Sequence, residues 1–500
     1  MEWIYLHIEG YLVPVLIMVY YAWVIFAVIK ILLENKNPLK THSYLLLLVL
    51  LPIAGLVIYL FFGQDYRRHK FFSRKKAIDS SIVESIVNDQ LNLAYQHELI
   101  GNEQVMSKSN IIKLLLRNNN AFLTKNNKVE MLINGEHKFD LLLKDLDKAK
   151  HHIHLEYYIF EEDEIGNIII DKLIQKSTEG VMVRFIYDSV GSSISASTIN
   201  RLKKTGVISA PIMPVYLRKF SKANYRDHRK IVVIDGAIAY TGSQNMVDPD
   251  VFKKDAGVGN WIDLMVKING PVVESLAGTF ISDWFLETNI GQFRSESLLQ
   301  DFDTVRSIGD IHPCPETGVS AVQLVPSGPG FSPEAIHSLL LTTIYASRNE
   351  LIMTTPYFIP DEPLLAALKA AAWRGVDVKI IVPKNNDSLL VQYASRARYE
   401  ELAEAGVKIY LFDGGLLHSK TITVDRDFSL FGSVNLDMRS FWLNFEATLF
   451  IYCPQFTNKL CAIQKGYLNQ SKELNTKEFA ERKWAEKFKE NVVLLIAPLL

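Results

Sequence analysis

Two runs near the N-terminus, Tyr11–Ile29 and Ser43–Gly63, contain no charged residue. At 1.5 Å per helical residue, each is long enough to cross a hydrocarbon core of about 30 Å. Neither run has a polar face, so two membrane spans fit better than two buried core helices. Pro14, Pro52 and Gly55 are tolerable in spans. A secretory signal is the rival reading of the first run. It needs basic residues before the run and a small-residue cleavage site after it, whereas Glu2 and Glu9 precede this one. The loop between the runs holds Lys36 and Lys40, with Lys30 at its edge. The heavier cluster, Arg67, Arg68, Lys70, Arg74, Lys75 and Lys76, follows the second run and predicts the cytoplasmic side. The same cluster can also touch anionic headgroups.

Beyond a polar, helix-rich connector, apolar strands alternate with amphipathic helices, the pattern of a mixed α/β body. Ile153–Phe160 is strand-like, Ile165–Ser177 has helical spacing, and Val181–Tyr187 is again strand-like after Gly180. The same order returns in Glu350–Ile359, Glu362–Trp373 and Val376–Val382, the last entered through Gly375. "EYYIFEED" and "TPYFIPDE" occupy matching places. The period is too long for a solenoid and predicts a duplicated domain. The expected organisation is a hairpin anchor at 1–66, a basic helical connector at 67–130, two similar α/β units at 131–300 and 320–480, and an amphipathic segment at 481–500. In that last segment Trp484, Phe488, Val492 and Leu495 fall on one helical face, with Lys483, Lys487 and Lys489 nearby. Such a helix can lie in a membrane surface or pack on the body.

Composition narrows the chemistry. The chain has 500 residues, 48% apolar and 22% charged, which excludes disorder and a coiled coil as its main state. Its 54 basic and 55 acidic residues give a net charge of -1, so no global field selects nucleic acid. Three cysteines make neither a disulfide framework nor a thiolate zinc site.

The strongest signal lies inside the repeat. The first copy reads H-R-K-I-V-V-I-D-G-A-I-A-Y-T-G-S-Q-N and the second H-S-K-T-I-T-V-D-R-D-F-S-L-F-G-S-V-N. They place His228, Lys230, Asp235, Ser243 and Asn245 in register with His418, Lys420, Asp425, Ser433 and Asn435. On a strand, His and Lys two apart share a face. Asp235-Gly236 and Arg426-Asp427 read as hairpin turns that bring the serine and asparagine back beside the histidine. An imidazole, an ammonium, a hydroxyl and an amide together suit a phosphate group, with Ser and Asn donating to its oxygens. Two copies facing each other supply both a nucleophile and an acid for the leaving alcohol. Asp263 in "WIDLMV" and Glu446 in "NFEATL" are candidate acceptors for the far nitrogen of the histidine preceding each. Lysines beside each histidine oppose a bound cation, so no metal and no cofactor is expected. Arg218, Lys219, Lys222, Arg226 and Arg229 form a basic approach to the first motif, either a headgroup-gathering surface or a solvated loop.

The paired H-x-K-x4-D-x6-G-S-x-N motifs resemble those of the phospholipase D superfamily. Together with the apolar hairpin, "NYRDHRKI", "TPYFIPDE" and "LLIAPLL", they resemble the bacterial cardiolipin synthases over nearly the whole length. The resemblance implies two phospholipase D-like α/β domains and phosphatidyl transfer between two phosphatidylglycerol molecules, with glycerol released. It implies catalytic roles for His228, Lys230, Asp235, His418, Lys420 and Asp425, with Asn245 and Asn435 at functional positions and the aspartates supporting rather than touching phosphate. It also implies a multi-pass protein of the bacterial cell membrane with a cytoplasmic catalytic body, membrane lipids as partners and no nucleic acid. Two other classes stay open on the residues alone: a phosphodiesterase hydrolysing phospholipid or nucleic acid, and a membrane scaffold with relic motifs.

Overall fold

The computed structural model describes residues 2–34, 38–51, 55, 82–95, 107–214, 224–288, 306–307, 309–329, 331 and 335–497. The chain divides into two compact units, Met1–Arg74 with Tyr216–Lys222, and the remainder. In the first, the helix Glu2–Glu34 carries the first apolar run and the helix Pro38–Leu50 carries the start of the second. They pack through Ala27, Ile31 and Leu48. Their other faces are bare: Met18 is 63% exposed and Phe26 64%. Among the described residues no helix is long and apolar enough to cross a membrane. The side chains of residues 2–13, and residues 52–54 and 56–63, fall outside the description, as does the Arg67–Lys76 cluster.

The second unit begins its sheet with β1 (Leu123–Ile133), β2 (His152–Tyr157), β3 (Met182–Asp188), β4 (Ile208–Ile212), β5 (Arg226–Asp227), β6 (Lys230–Ile234), β7 (Ile238–Gly242), β8 (Trp261–Ile262) and β9 (Leu264–Asn269). The second half repeats them with β10 (Ser320–Ser327), β11 (Glu350–Thr354), β12 (Phe358–Ile359), β13 (Asp377–Pro383), β14 (Lys408–Phe412), β15 (Leu416–Leu417), β16 (Thr421–Val424), β17 (Phe428–Gly432), β18 (Leu436–Asp437) and β19 (Asn444–Tyr452), and β20 (Ser471–Glu473) closes the edge. One mixed sheet runs through both halves in the order β20-β14-β13-β11-β16-β17-β19-β10-β1-β9-β7-β6-β2-β3-β4. Read inward, β4-β3-β2-β6-β7-β9-β1 and β14-β13-β11-β16-β17-β19-β10 are the same arrangement. The halves meet where β1 and β10 pair antiparallel, Leu123 opposite Gln323. The duplication is thus a pseudo-two-fold within one continuous sheet. β1 starts inside the stretch expected as connector, because its alternating burial lets it close the first half.

Parallel pairs β2–β3 and β11–β13 need crossovers, which the helices Glu164–Thr178 and Glu362–Trp373 supply. Asp163 and Asp361 cap these helices, accepting from the N–H of Gly166 (2.8 Å) and Leu364 (3.2 Å). One face of the sheet has a separate core in each half, around Leu155, Phe160 and Leu173 in the first and Met353, Leu365 and Val378 in the second. The other face has a core shared by both, in which Ile231, Val266 and Leu276 meet Leu324, Leu449 and Leu460. The β6–β7 and β16–β17 hairpins therefore stand on a foundation common to both copies.

The motif aspartates lie at the far end of these hairpins. Asp235 and Asp425 adopt φ of 50° and 51°, and Arg426 adopts 57°, as a tight hairpin demands. The Asp235 carboxylate accepts the N–H groups of Lys150 (2.8 Å), His151 (2.7 Å) and His152 (3.0 Å). Asp425 does the same for Arg348 (2.9 Å), Asn349 (2.7 Å) and Glu350 (2.8 Å). Each lies five positions along the chain from its lysine, about 16 Å at 3.3 Å per residue. Each carboxylate fastens the start of a neighbouring strand, a supporting position away from the motif lysine. Asp425→Ala should cost about 1–3 kcal/mol through three stranded N–H donors, seen as a lower thermal midpoint with turnover per folded molecule near that of the parent. A variant that melts like the parent but is inactive would return Asp425 to the chemistry.

Candidate active site

Each histidine sits just before its strand, where the main chain crosses to the other half. β5 pairs parallel with the start of β19, and the His228 N–H donates to the Phe445 carbonyl at 2.9 Å. β15 pairs parallel with β8, and the His418 N–H donates to the Ile262 carbonyl at 2.8 Å. The acids follow this crossing. His228 Nδ1 lies 2.9 Å from Glu446 Oε2, and His418 Nδ1 lies 2.7 Å from Asp263 Oδ1. Asp263 and Glu446 therefore do orient histidines, but each holds the histidine of the other copy. The expected pairing within a copy is corrected by the cross-strand pairs that carry the chain from one half to the other.

The serines are corrected too. Ser243 Oγ donates to Asp263 at 2.6 Å, and Ser433 Oγ donates to Glu446 at 2.5 Å. A hydroxyl has one proton, so a serine committed to its carboxylate has none for phosphate. The glycine before each serine is required for this contact. A Cβ on Gly242 would stand 2.8 Å from the Met265 backbone, and one on Gly432 2.7 Å from that of Thr448. The chain Ser243–Asp263–His418 is thus matched by Ser433–Glu446–His228.

The groups left for substrate are lysines, asparagines and the Nε2 edges of the rings. Lys230 Nζ donates to the His228 carbonyl and Lys420 Nζ to the His418 carbonyl, each at 2.7 Å. An ammonium has two further donors. Asn245 and Asn435 are buried, and the side-chain oxygen of each lacks a protein partner among the described residues. Of the basic approach, Arg218, Lys219 and Lys222 lie outside the described residues. Arg226 is buried and bonds Asp188 at 3.2 Å; Arg229 is buried against Asp283 and the Glu446 carbonyl. Both support the site from behind and gather nothing from solvent. Among the described residues no cluster of His, Cys, Asp or Glu is arranged to hold a metal.

Three neighbours carried no sequence signal strong enough to single them out. The Tyr158 ring meets His228 edge-on at 4.9 Å, and Trp261 lies 4.6 Å from His418. Both stood inside quoted repeat segments. Lys138 is buried and donates to the Asn245 carbonyl at 3.1 Å. A lone lysine on an amphipathic helix gave no warning of that.

Residues 142–284 and 340–465 match the family model of the cardiolipin synthase PLD-like domain, and 22–64 that of the phospholipase D-nuclease N-terminal segment. Cardiolipin synthase A of Buchnera aphidicola subsp. Schizaphis graminum is 37% identical over 97% of this chain and 98% of its own length. The chain belongs to the cardiolipin synthase family. Cardiolipin synthase A of Klebsiella pneumoniae is 37% identical over 96% of this chain and 97% of its own. The crystal structure of phosphatidylserine synthase from Haemophilus influenzae shares the fold, with a TM-score of 0.58 over 80% of this chain and 100% of that one at 15% identity.

In this cardiolipin synthase family member the two histidine pairs differ electrostatically. Burial alone would raise Asp263, but His418, Lys420 and Ser243 outweigh it and hold the carboxyl at about 2. Burial pushes Glu446 up to about 7 against the pull of Lys230 and Ser433. Burial lowers His418 to about 4, with Asp263 resisting. His228 falls well below its ordinary value through burial and the charges of Lys230 and Lys420. Burial also lowers Lys230 to about 8 and Lys420 to about 7. The site thus holds under-solvated cations that an anionic phosphodiester would relieve.

The crossed pairing is open to double-mutant cycles on unfolding. His228→Ala with Glu446→Ala, and His418→Ala with Asp263→Ala, should each show coupling of about 1–3 kcal/mol. The same-copy pairs should couple by less than about 0.5 kcal/mol. Stronger coupling within a copy would contradict the crossing.

Proposed function

We propose that the chain transfers a phosphatidyl group between two phosphatidylglycerol molecules, giving cardiolipin and glycerol. The observation that carries this reading is the pair of histidines, each braced at Nδ1 by the other copy's carboxylate and flanked by a buried lysine. Family membership selects a phospholipid as the phosphodiester.

His228, which burial holds well below its ordinary value, is the nucleophile. Its Nε2 attacks phosphorus of one phosphatidylglycerol, and the bond from phosphorus to the glycerol oxygen breaks. Lys230, Lys420, Asn245 and Asn435 stabilise the charge gathering on the other phosphate oxygens. Burial holds His418 low against the pull of Asp263; the anionic phosphodiester raises it, so that the ring takes up a proton from solvent and gives it to the departing glycerol. In the return step neutral His418 takes the proton from the glycerol hydroxyl of a second phosphatidylglycerol. That oxygen attacks phosphorus, the phosphorus–nitrogen bond breaks, and His228 is free again. The lysines supply the positive charge that a metal would otherwise bring.

The uncovered apolar sides of the helices Glu2–Glu34 and Pro38–Leu50 support a membrane-crossing hairpin, with the body on the cytoplasmic side of a bacterial cell membrane. A phosphodiesterase acting on nucleic acid would share the fold, but bare apolar helices favour a lipid.

Two measurements test this reading. Mass spectrometry should find cardiolipin formed from phosphatidylglycerol alone. A phosphatidyl adduct should be trapped on His228 in His418→Ala, above all from a substrate with a good leaving group, and none should form in His228→Ala. An adduct on His418 in the parent protein would reverse the roles.

Topology is tested with single cysteines labelled from outside intact cells. A reagent that cannot cross the membrane should reach Asn37→Cys and spare Ser80→Cys. The opposite pattern would invert the hairpin.

A further inference from the structure

The helix Trp484–Leu494 is inside out. Its charged Glu490 is buried, while Trp484 is 78% exposed, Phe488 61% and Leu495, one residue on, 80%. An ordinary surface helix turns its apolar stripe inward. This one is locked the other way. Glu490 accepts from Arg396 Nε and Arg482 Nε, each at 2.8 Å, and Arg482 reaches Glu400 at 2.6 Å. Val493 and Ala497 pack on Ile359, Val391 and Ala394, which fixes the rotation of the helix.

A train of contacts links the neighbourhood of this face to the active site. The neighbouring helix Leu389–Arg396 adds Leu389, 69% exposed, and Leu390 in its first turn. Just before that turn, Asp387 accepts from Tyr357 Oη at 2.9 Å and from Lys253 Nζ at 2.8 Å. Lys253 lies over the Trp261 ring at 5.5 Å, and Trp261 lies against His418. The apolar surface therefore begins two residues from a train of contacts that ends on a catalytic ring.

We infer that the face made by Leu389, Leu390, Trp484, Phe488 and Leu495 seats in the headgroup region of an anionic bilayer and turns the mouth of the active site toward lipid. The inference rests on the phosphatidyl-transfer reading. Aromatic and aliphatic side chains bordered by exposed cations, here Lys483 and Lys489, are the chemistry of an interfacial helix. The substrate itself is dissolved in the bilayer, and its phosphate lies at headgroup depth. A face that sits at the same depth lets the phosphate reach His228 and His418 while the acyl chains stay in lipid.

The test uses the full chain in vesicles of phosphatidylglycerol and phosphatidylcholine. The native cysteines are buried, so a fluorophore goes to Phe488→Cys or, as control, to Val319→Cys, a position 78% exposed on the body. A lipid-borne quencher should dim the label at 488 several-fold more than the label at 319. Equal quenching would overturn the inference, and so would a label at 488 already shielded before vesicles are added, which marks a protein contact. The triple change Trp484→Ser, Phe488→Ser, Leu495→Ser should cut cardiolipin formation on vesicles about ten-fold and leave it unchanged in detergent micelles. An equal loss in both would make the face structural and refute docking. Quenching of the label in Phe488→Cys together with a parent protein that makes no cardiolipin in either medium would sink the transfer reading instead.

Discussion

Each motif histidine is braced at Nδ1 by a carboxylate that belongs to the other half of the molecule, and the rest of the structure serves that exchange. Glu446 reaches His228 and Asp263 reaches His418 because the short strands before the histidines pair across the pseudo-two-fold. Neither half alone can hold its imidazole in a useful tautomer. Removing one partner of a buried hydrogen bond typically costs about 1–3 kcal/mol, since the other is left dry and unsatisfied. The two copies are therefore tied by energy as well as by chain connectivity. The β1–β10 junction and the shared core on one face keep the halves at the fixed separation that hydrogen bonds of 2.7 and 2.9 Å demand.

The cost of the site is the burial of its lysines and carboxylates. Each has a local device that limits it. The lysines donate to the carbonyls of their own motif histidines, and the carboxylates accept from the serines that close each motif. The G-S step in the sequence exists for this second device: glycine lets the returning strand approach, and serine then reaches the acid. What these devices leave unsatisfied is positive charge with spare donors, which is the complement of a phosphodiester.

Much of this was legible in the residues, and what was not has definite causes. The duplicated unit and its strand–helix–strand order were visible because periodicity is local, and Glu362–Trp373 is the helix the spacing predicts. The two acids were visible as carboxylates in apolar strands. Their partners were not, because a sequence read along one copy at a time gives no sign that strands cross between copies. The serines were misplaced for a related reason. Motif spacing places Asp235 and Ser243 relative to His228, but it cannot distinguish a side chain facing the substrate from one facing a neighbouring strand. Lys138 was invisible, since its role depends on a carbonyl that tertiary folding alone brings within 3.1 Å.

A perfect two-fold would give two equivalent histidines, whereas a double displacement needs one that attacks and one that carries a proton. The departure from symmetry is chemically small. One acid is an aspartate and the other a glutamate, and their surroundings move them in opposite directions, Asp263 to about 2 and Glu446 to about 7. The ionised partner resists the burial that lowers His418 to about 4. A carboxyl that can itself keep a proton does less for His228, whose ring stays neutral beside two ammonium groups. The ring neighbours differ in the same sense of place, Tyr158 against His228 and Trp261 against His418. Duplication thus supplied two copies of one hairpin, and modest divergence at the acids that cross between them is sufficient to give the two histidines different surroundings.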